Sequence, residues 1–131
     1  MAHAFGSMDE LGDGFFRKVR QALGVTAFGV NVLVFEPGAQ GRPHYHDVQD
    51  ELYFVHRGRA RFEVDGEVRE LRPGGLCHVE STTPRLISNA GDEELVLLVV
   101  GGKDGYVERD GQLVSDEELE RLRAERESSA R

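Results

Sequence analysis

The sequence predicts an all-β protein, a sandwich or barrel with one short helix before it and one helix after it. Three observations carry this. Short stretches rich in β-branched and aromatic residues recur at intervals of roughly 8–12 residues, each closed by a Gly, Pro, Asn or Asp cluster. Ala60, Phe62 and Val64 alternate with Arg59, Arg61 and Glu63, the two-residue period of a half-buried strand. No helical pattern separates the strand-like stretches, so a parallel sheet of βαβ units is not expected.

Taken in order, residues 1–14 are polar and glycine-rich, and read as a loose extension. In FFRKVRQAL, Phe15, Phe16, Val19, Ala22 and Leu23 fall at helical spacing and Gly24 follows as a stop, which predicts a helix over 15–23. Val25 to Phe35 is β-branched and aromatic and ends at Pro37-Gly38; ELYFVH, 51–56, ends at Arg57-Gly58. Asp65-Gly66 after Val64 is a two-residue hairpin signal, with 68–71 as the return strand. Further strands are predicted at 76–80, 85–88 and 94–100, separated by Pro73-Gly74-Gly75 and by Asn89-Ala90-Gly91-Asp92. Ser115 and Glu118 form a capping box, and the charged run Asp116 to Glu127 reads as the solvated face of a C-terminal helix. The division that follows is an N-terminal extension with a short helix (1–24), a barrel (25–105) and a helical tail (106–131).

The 131 residues carry 16 basic and 24 acidic side chains, a net charge of −8. That sign argues against nucleic acid and anionic membrane as partners, because both require a basic face. A single cysteine, Cys77, can form no internal disulfide and belongs in the core. The opening residues lack a basic stretch followed by an apolar one, and the longest apolar run, Leu95 to Val100, is six residues. A cytoplasmic protein is expected.

The chemistry concentrates in GAQGRPHYHDVQDELYFVHRG, 38–58. His44 and His46 are two apart and project from one face of a strand. Glu51 has the opposite parity, but Asp47-Val48-Gln49-Asp50 is a turn-like spacer that lets the next strand carry it back toward the pair. Two imidazoles and a carboxylate converging in this way make a site for a divalent cation with positions left open. Tyr53 shares the parity of Glu51 and can wall the same cavity. His78 shares parity with Leu76 and Glu80 and is a candidate substitute ligand or base. Leu52, Phe54 and His56 lie on the face opposite Glu51, an apolar strip of the kind that marks an interface, so a homodimer is expected.

Gly38, His44, His46, Glu51 and Gly58 meet every fixed position of G-x5-H-x-H-x4-E-x6-G, the first motif of the cupin family, which the sequence therefore resembles. Pro73-Gly74-Gly75, the strand after it and Asn89 are similar to the second motif. The resemblance spans about 28–100. It implies an antiparallel barrel of six or more strands, often dimeric, with His44, His46 and Glu51 holding Fe, Mn, Ni or Zn. It also implies a small polar or anionic ligand and dioxygenase-, isomerase- or decarboxylase-like chemistry.

One position departs from the family. Four residues before Asn89, where the fourth ligand would be a histidine, stands Arg85. A guanidinium has no lone pair to give. At about 6 Å and an effective dielectric of about 20 it repels a divalent ion by on the order of 5 kcal/mol. Three arrangements stay open: a three-ligand metal bound more weakly, Arg85 turned away, or a metal-free site in which Arg85 grips an anion. The alternative to a metal-dependent enzyme is therefore a non-catalytic binding or sensing module using the same cavity.

Overall fold

The most apolar segment organises the fold. Strand β9, Leu95–Gly102, pairs antiparallel on one side with β2, Gly29–Phe35, and on the other with β4, Asp50–Arg57. The computed structural model describes residues 2–129. A short edge strand β1, Phe16–Arg17, and β7, Leu76–Val79, complete a first five-stranded sheet in the order β1-β2-β9-β4-β7. The second sheet has five strands in the order β10-β3-β8-β5-β6. Its members are β3 (His44–His46), β5 (Ala60–Val64), β6 (Glu67–Leu71), β8 (Arg85–Asn89) and β10 (Gly111–Leu113). Two helices flank the sheets, α1 over Val19–Leu23 and α2 over Asp116–Ser129.

The two sheets stack around Phe35, Tyr53, Val55, Phe62, Ile87, Leu95 and Leu97, all buried, with Tyr53 and Phe62 meeting edge to face. The alternation of β4 and β5 sends these residues inward, as burial of apolar area requires. Along one side the sheets stay apart: β6 and β7 are edge strands, and a cleft of about 250 Å³ lined by Phe62, Val64, Leu71 and Cys77 lies between them. The architecture is thus two facing antiparallel sheets rather than a fully hydrogen-bonded barrel. Asp65 and Gly66 both have positive φ, 49° and 82°, as a tight hairpin demands. At Gly58 a Cβ would stand 2.6 Å from the carbonyl oxygen of Glu94, so the motif glycine is needed for backbone contact as well as for its φ of 83°.

Three sequence expectations change. The helix predicted over 15–23 begins only at Val19, because Phe15 and Phe16 are drawn into extended pairing with β2. The Phe15 carbonyl accepts from the Val34 amide and its ring packs edge-on against Phe35 at 4.7 Å. Tertiary pairing there overrides local periodicity. Glu63 points away from the inter-sheet core as its parity requires, yet it is 2% exposed, covered by α2 and held by Arg123. The tail is not all helix: Gly111, Gln112 and Leu113 pair with His46, Tyr45 and His44.

On the outer face of the first sheet, Met8 and Val19 pack on Val32, Val34 and Val96, while Leu52 and Leu76 remain 43% and 62% exposed. Among the described residues, no helix is long and apolar enough to cross a membrane.

Candidate metal centre

His44 and His46 stand on β3 of the second sheet, one on each side of Tyr45, and face the gap between sheets. Glu51 enters from the first sheet, on β4, after the turn at 47–49 has reversed its parity. One ligand atom from each of the three lies within 4.8 Å of the others. The two rings meet edge to face at 5.1 Å, and Nε2 of His46 is 3.1 Å from Oε1 of Glu51.

Hydrogen bonds fix the protons on both rings. Nδ1 of His44 is 2.9 Å from the backbone carbonyl of Arg42, an atom that can only accept, so Nδ1 carries the proton and Nε2 the lone pair. Nδ1 of His46 is 2.8 Å from Oδ1 of Asp110, so Nδ1 carries a proton there as well. Asp110 is held well below the usual carboxylate range, against its burial, by Gln49, the Val48 and Gln49 amides and His46. It is therefore an acceptor at neutral pH.

Burial lowers the pKa of His44, with Arg85 and His46 adding to it against the Arg42 carbonyl, which favours the neutral ligand form. Burial acts the same way on His46, but Glu51 and Asp110 outweigh it and the net shift is upward. For Glu51 burial is outweighed by His46, Tyr53 and Arg85, and its pKa falls. Burial and the neighbouring Glu51 push Tyr53 well above 10, so its hydroxyl stays a donor, 2.5 Å from Oε1 of Glu51.

The contact between His46 and Glu51 is chemically unfinished. Nε2 of His46 is buried and has no hydrogen-bond partner. With Nδ1 protonated, a lone pair on Nε2 faces an anionic oxygen at 3.1 Å, and two acceptors at that distance require positive charge between them. A divalent cation or a proton meets that requirement. The donor set therefore fits a metal of the kind bound by imidazole and carboxylate.

Arg85 is inside the site and its side chain is fully buried. It sits opposite His44 in the β3–β8 register, and its Nη1 donates to Oε1 of Glu51 at 2.7 Å. Nη2 donates to the carbonyls of Glu80, Ser81 and Thr83 at 2.9, 3.1 and 3.0 Å, and Nε to Thr83 at 3.2 Å. The anion it grips is Glu51 itself, and Glu80 contributes a carbonyl rather than its carboxylate. Tyr53 is in the cluster, as its parity indicates. His78 is not: it pairs with Leu52 on the outer face and is exposed, because its neighbours Cys77 and Val79 turn inward. Asp110 was invisible to sequence reasoning. Only the pairing of β10 with β3 brings it to His46, and nothing local in VERDGQL announces that strand.

Residues 31–101 match the family described as Cupin domain. The chain is 36% identical over 69 residues to the pectin degradation protein KdgF of Dickeya dadantii, covering 50% of this chain and 58% of that one. It is 27% identical over 101 residues to the polyketide synthase CurC of Streptomyces cyaneus, covering 72% and 66%. This chain thus spans less than two thirds of each. A sugar phosphate isomerase of the cupin superfamily from Silicibacter pomeroyi superposes with a TM-score of 0.61 at 29% identity, over 67% of this chain and 58% of that one. A cupin protein from Bacteroides fragilis superposes at 0.70, over 83% and 91%, and at 24% identity speaks for the fold alone. Two facing antiparallel sheets, a complete first motif with its histidines and glutamate brought together, and this family match place the chain in the cupin family.

Proposed function

We propose that the protein is a metal-dependent cupin enzyme acting on a small polar or anionic molecule. His44 and His46 through Nε2, and Glu51 through its carboxylate, would hold one divalent ion, Fe, Mn, Ni or Zn. The observation that carries this is buried Nε2 of His46, without a hydrogen-bond partner and 3.1 Å from a carboxylate oxygen, a contact that calls for a cation or a proton between the two atoms. The metal would supply Lewis acidity toward a chelating substrate or a bound water. Tyr53 and Arg85 fix the orientation of Glu51, and the Arg42 carbonyl and Asp110 fix the two rings. The sugar phosphate isomerase among the similar structures supports a small anionic substrate and an isomerase-like reaction.

Calorimetric titration of metal-stripped protein with Mn(II), Ni(II) and Zn(II), and with Fe(II) under anaerobic conditions, tests the reading. One ion per chain is expected, and His46→Ala should abolish it while the protein stays folded. No binding by the parent protein would overturn the reading. The Arg85–Glu51 pair at 2.7 Å favours the second reading, a metal-free binding or sensing module, since it already neutralises Glu51. The same titration separates the two. A second copy of the chain is expected on the exposed Leu52–Leu76 face, and sedimentation equilibrium showing only monomer at micromolar concentration would remove that element.

A further inference from the structure

Asp110 lies beyond the stretch 31–101 that matches the family, on the segment entering β10. Its two oxygens are fully engaged. Oδ1 accepts from Nδ1 of His46 at 2.8 Å and from Nε2 of Gln49 at 2.6 Å. Oδ2 accepts from the backbone amides of Val48 at 2.8 Å and Gln49 at 3.0 Å. Each oxygen thus uses both lone-pair directions. The segment is itself anchored, since the Asp110 carbonyl accepts from the Asp47 amide and Gly111 pairs with His46.

We propose that Asp110 is a positioning residue of the metal centre. It holds His46 in the tautomer that leaves Nε2 as the lone-pair nitrogen, and it clamps the turn that carries the chain from His46 to Glu51. The proposal rests on the metal reading above. The physical reason is that a ligating imidazole is oriented by what its other nitrogen donates to, and a carboxylate there also raises ligand basicity. His44 provides a built-in reference. Its Nδ1 proton goes to the backbone carbonyl of Arg42, so its tautomer depends on no side chain.

Asp110→Asn is the decisive substitution. The two backbone amides of Val48 and Gln49 can only donate, so the single carboxamide oxygen must turn to them. The NH2 group then faces Nδ1 of His46, which is obliged to accept. The ring shifts its proton to Nε2, where it donates to Glu51 and is lost as a ligand. Long-range proton–nitrogen NMR of the imidazoles in metal-free protein, at a pH where both rings are neutral, reads this directly. The parent should show Nδ1–H for His44 and His46, and Asp110→Asn should move His46 alone to Nε2–H. Zinc affinity measured by calorimetry should fall roughly 10–100-fold. Gln49→Ala removes one donor from Asp110 and leaves its two backbone partners, so it should keep the parent tautomer and affinity.

A parent protein with His46 in the Nε2–H form overturns the proposal, and that measurement needs no variant to fold. An unchanged His46 tautomer in Asp110→Asn overturns it too. So does an equal affinity loss in Gln49→Ala, which would reduce Asp110 to a staple of the turn. A parent that shows Nδ1–H but takes up no zinc overturns the metal reading instead and leaves the assignment of His46 supported.

Discussion

Among the described residues, buried Glu63 and partly buried Glu51 are each paired with arginine, and only Glu51 belongs to a site. Glu63 is pinned from outside by Arg123 of helix α2, at 2.8 and 3.1 Å, and the arginine stays 42% exposed. Glu51 is pinned from within by Arg85, whose side chain is fully buried and whose remaining donors go to three backbone carbonyls. Both oxygens of Glu63 accept from arginine. Beside Glu51, buried Nε2 of His46 has no hydrogen-bond partner and lies 3.1 Å from a carboxylate oxygen, a contact that calls for a cation or a proton. A buried ion pair is weak evidence for stability or function by itself. What distinguishes the site is the demand for positive charge that its neighbours leave unmet.

The largest effect should come from breaking the inner pair. Arg85→Ala strips a buried carboxylate of its counter-charge, which costs about 3–5 kcal/mol, roughly 10–20 °C in melting temperature for a domain of this size. Excess Zn(II) should recover much of that loss, since the cation takes over the role of the guanidinium. In Arg123→Ala the metal should add only what it adds to the parent, leaving the gap between the two unchanged. Arg85→His adds the ligand usual in the family and removes a cation together, so metal affinity should rise at least tenfold, about 1.4 kcal/mol. Thermal melts with and without metal, with calorimetry alongside, measure all three. Equal metal affinity in parent, Arg85→Ala and Arg85→His would place Arg85 outside the electrostatics of the centre.

A smaller effect is expected at the outer pair, and it has a pH signature. The hydrogen bonds from Arg123 lower the pKa of Glu63 from its ordinary 4.5, with Arg61 assisting and burial opposing. The folded value lies below the unfolded one, so on acidification the unfolded chain takes up this proton first. The stabilisation is therefore complete above about pH 5 and is lost as pH falls through the folded value. Arg123→Ala should cost about 1 kcal/mol near neutrality, discounted for the exposure of the arginine. The gap from the parent should narrow as pH falls below the ordinary 4.5 and close once pH has passed the lowered folded value. Urea melts at several pH values would show it, and a gap independent of pH would mean that α2 is held by Leu122 and Arg126 instead. Comparable in size to the outer pair, Tyr53→Phe removes one hydrogen bond to Glu51 and should cost about 1 kcal/mol, because Arg85 still holds the carboxylate. A loss as large as that of Arg85→Ala would show that the hydroxyl, rather than the guanidinium, secures Glu51.

The sequence by itself determined the strand order of polar and apolar faces, the Asp65-Gly66 hairpin and the trio His44, His46 and Glu51. These features depend on spacing along one or two strands, and a period of two with a turn between is written locally. It determined the identity of Arg85 but not its posture, because whether a guanidinium grips a ligand, a solvent-facing acid or Glu51 depends on which carbonyls lie across the gap. Phe15 and Phe16 read as helix until the free edge of β2 offered them partners, and Glu63, on the polar side of its strand's alternation, is buried through its pairing with Arg123 of α2. Asp110 is the extreme case, 64 residues from His46 along the chain. Its role arises only when β10 pairs with β3, and pairing between strands so distant depends on the whole two-sheet arrangement rather than on any residue pattern within either.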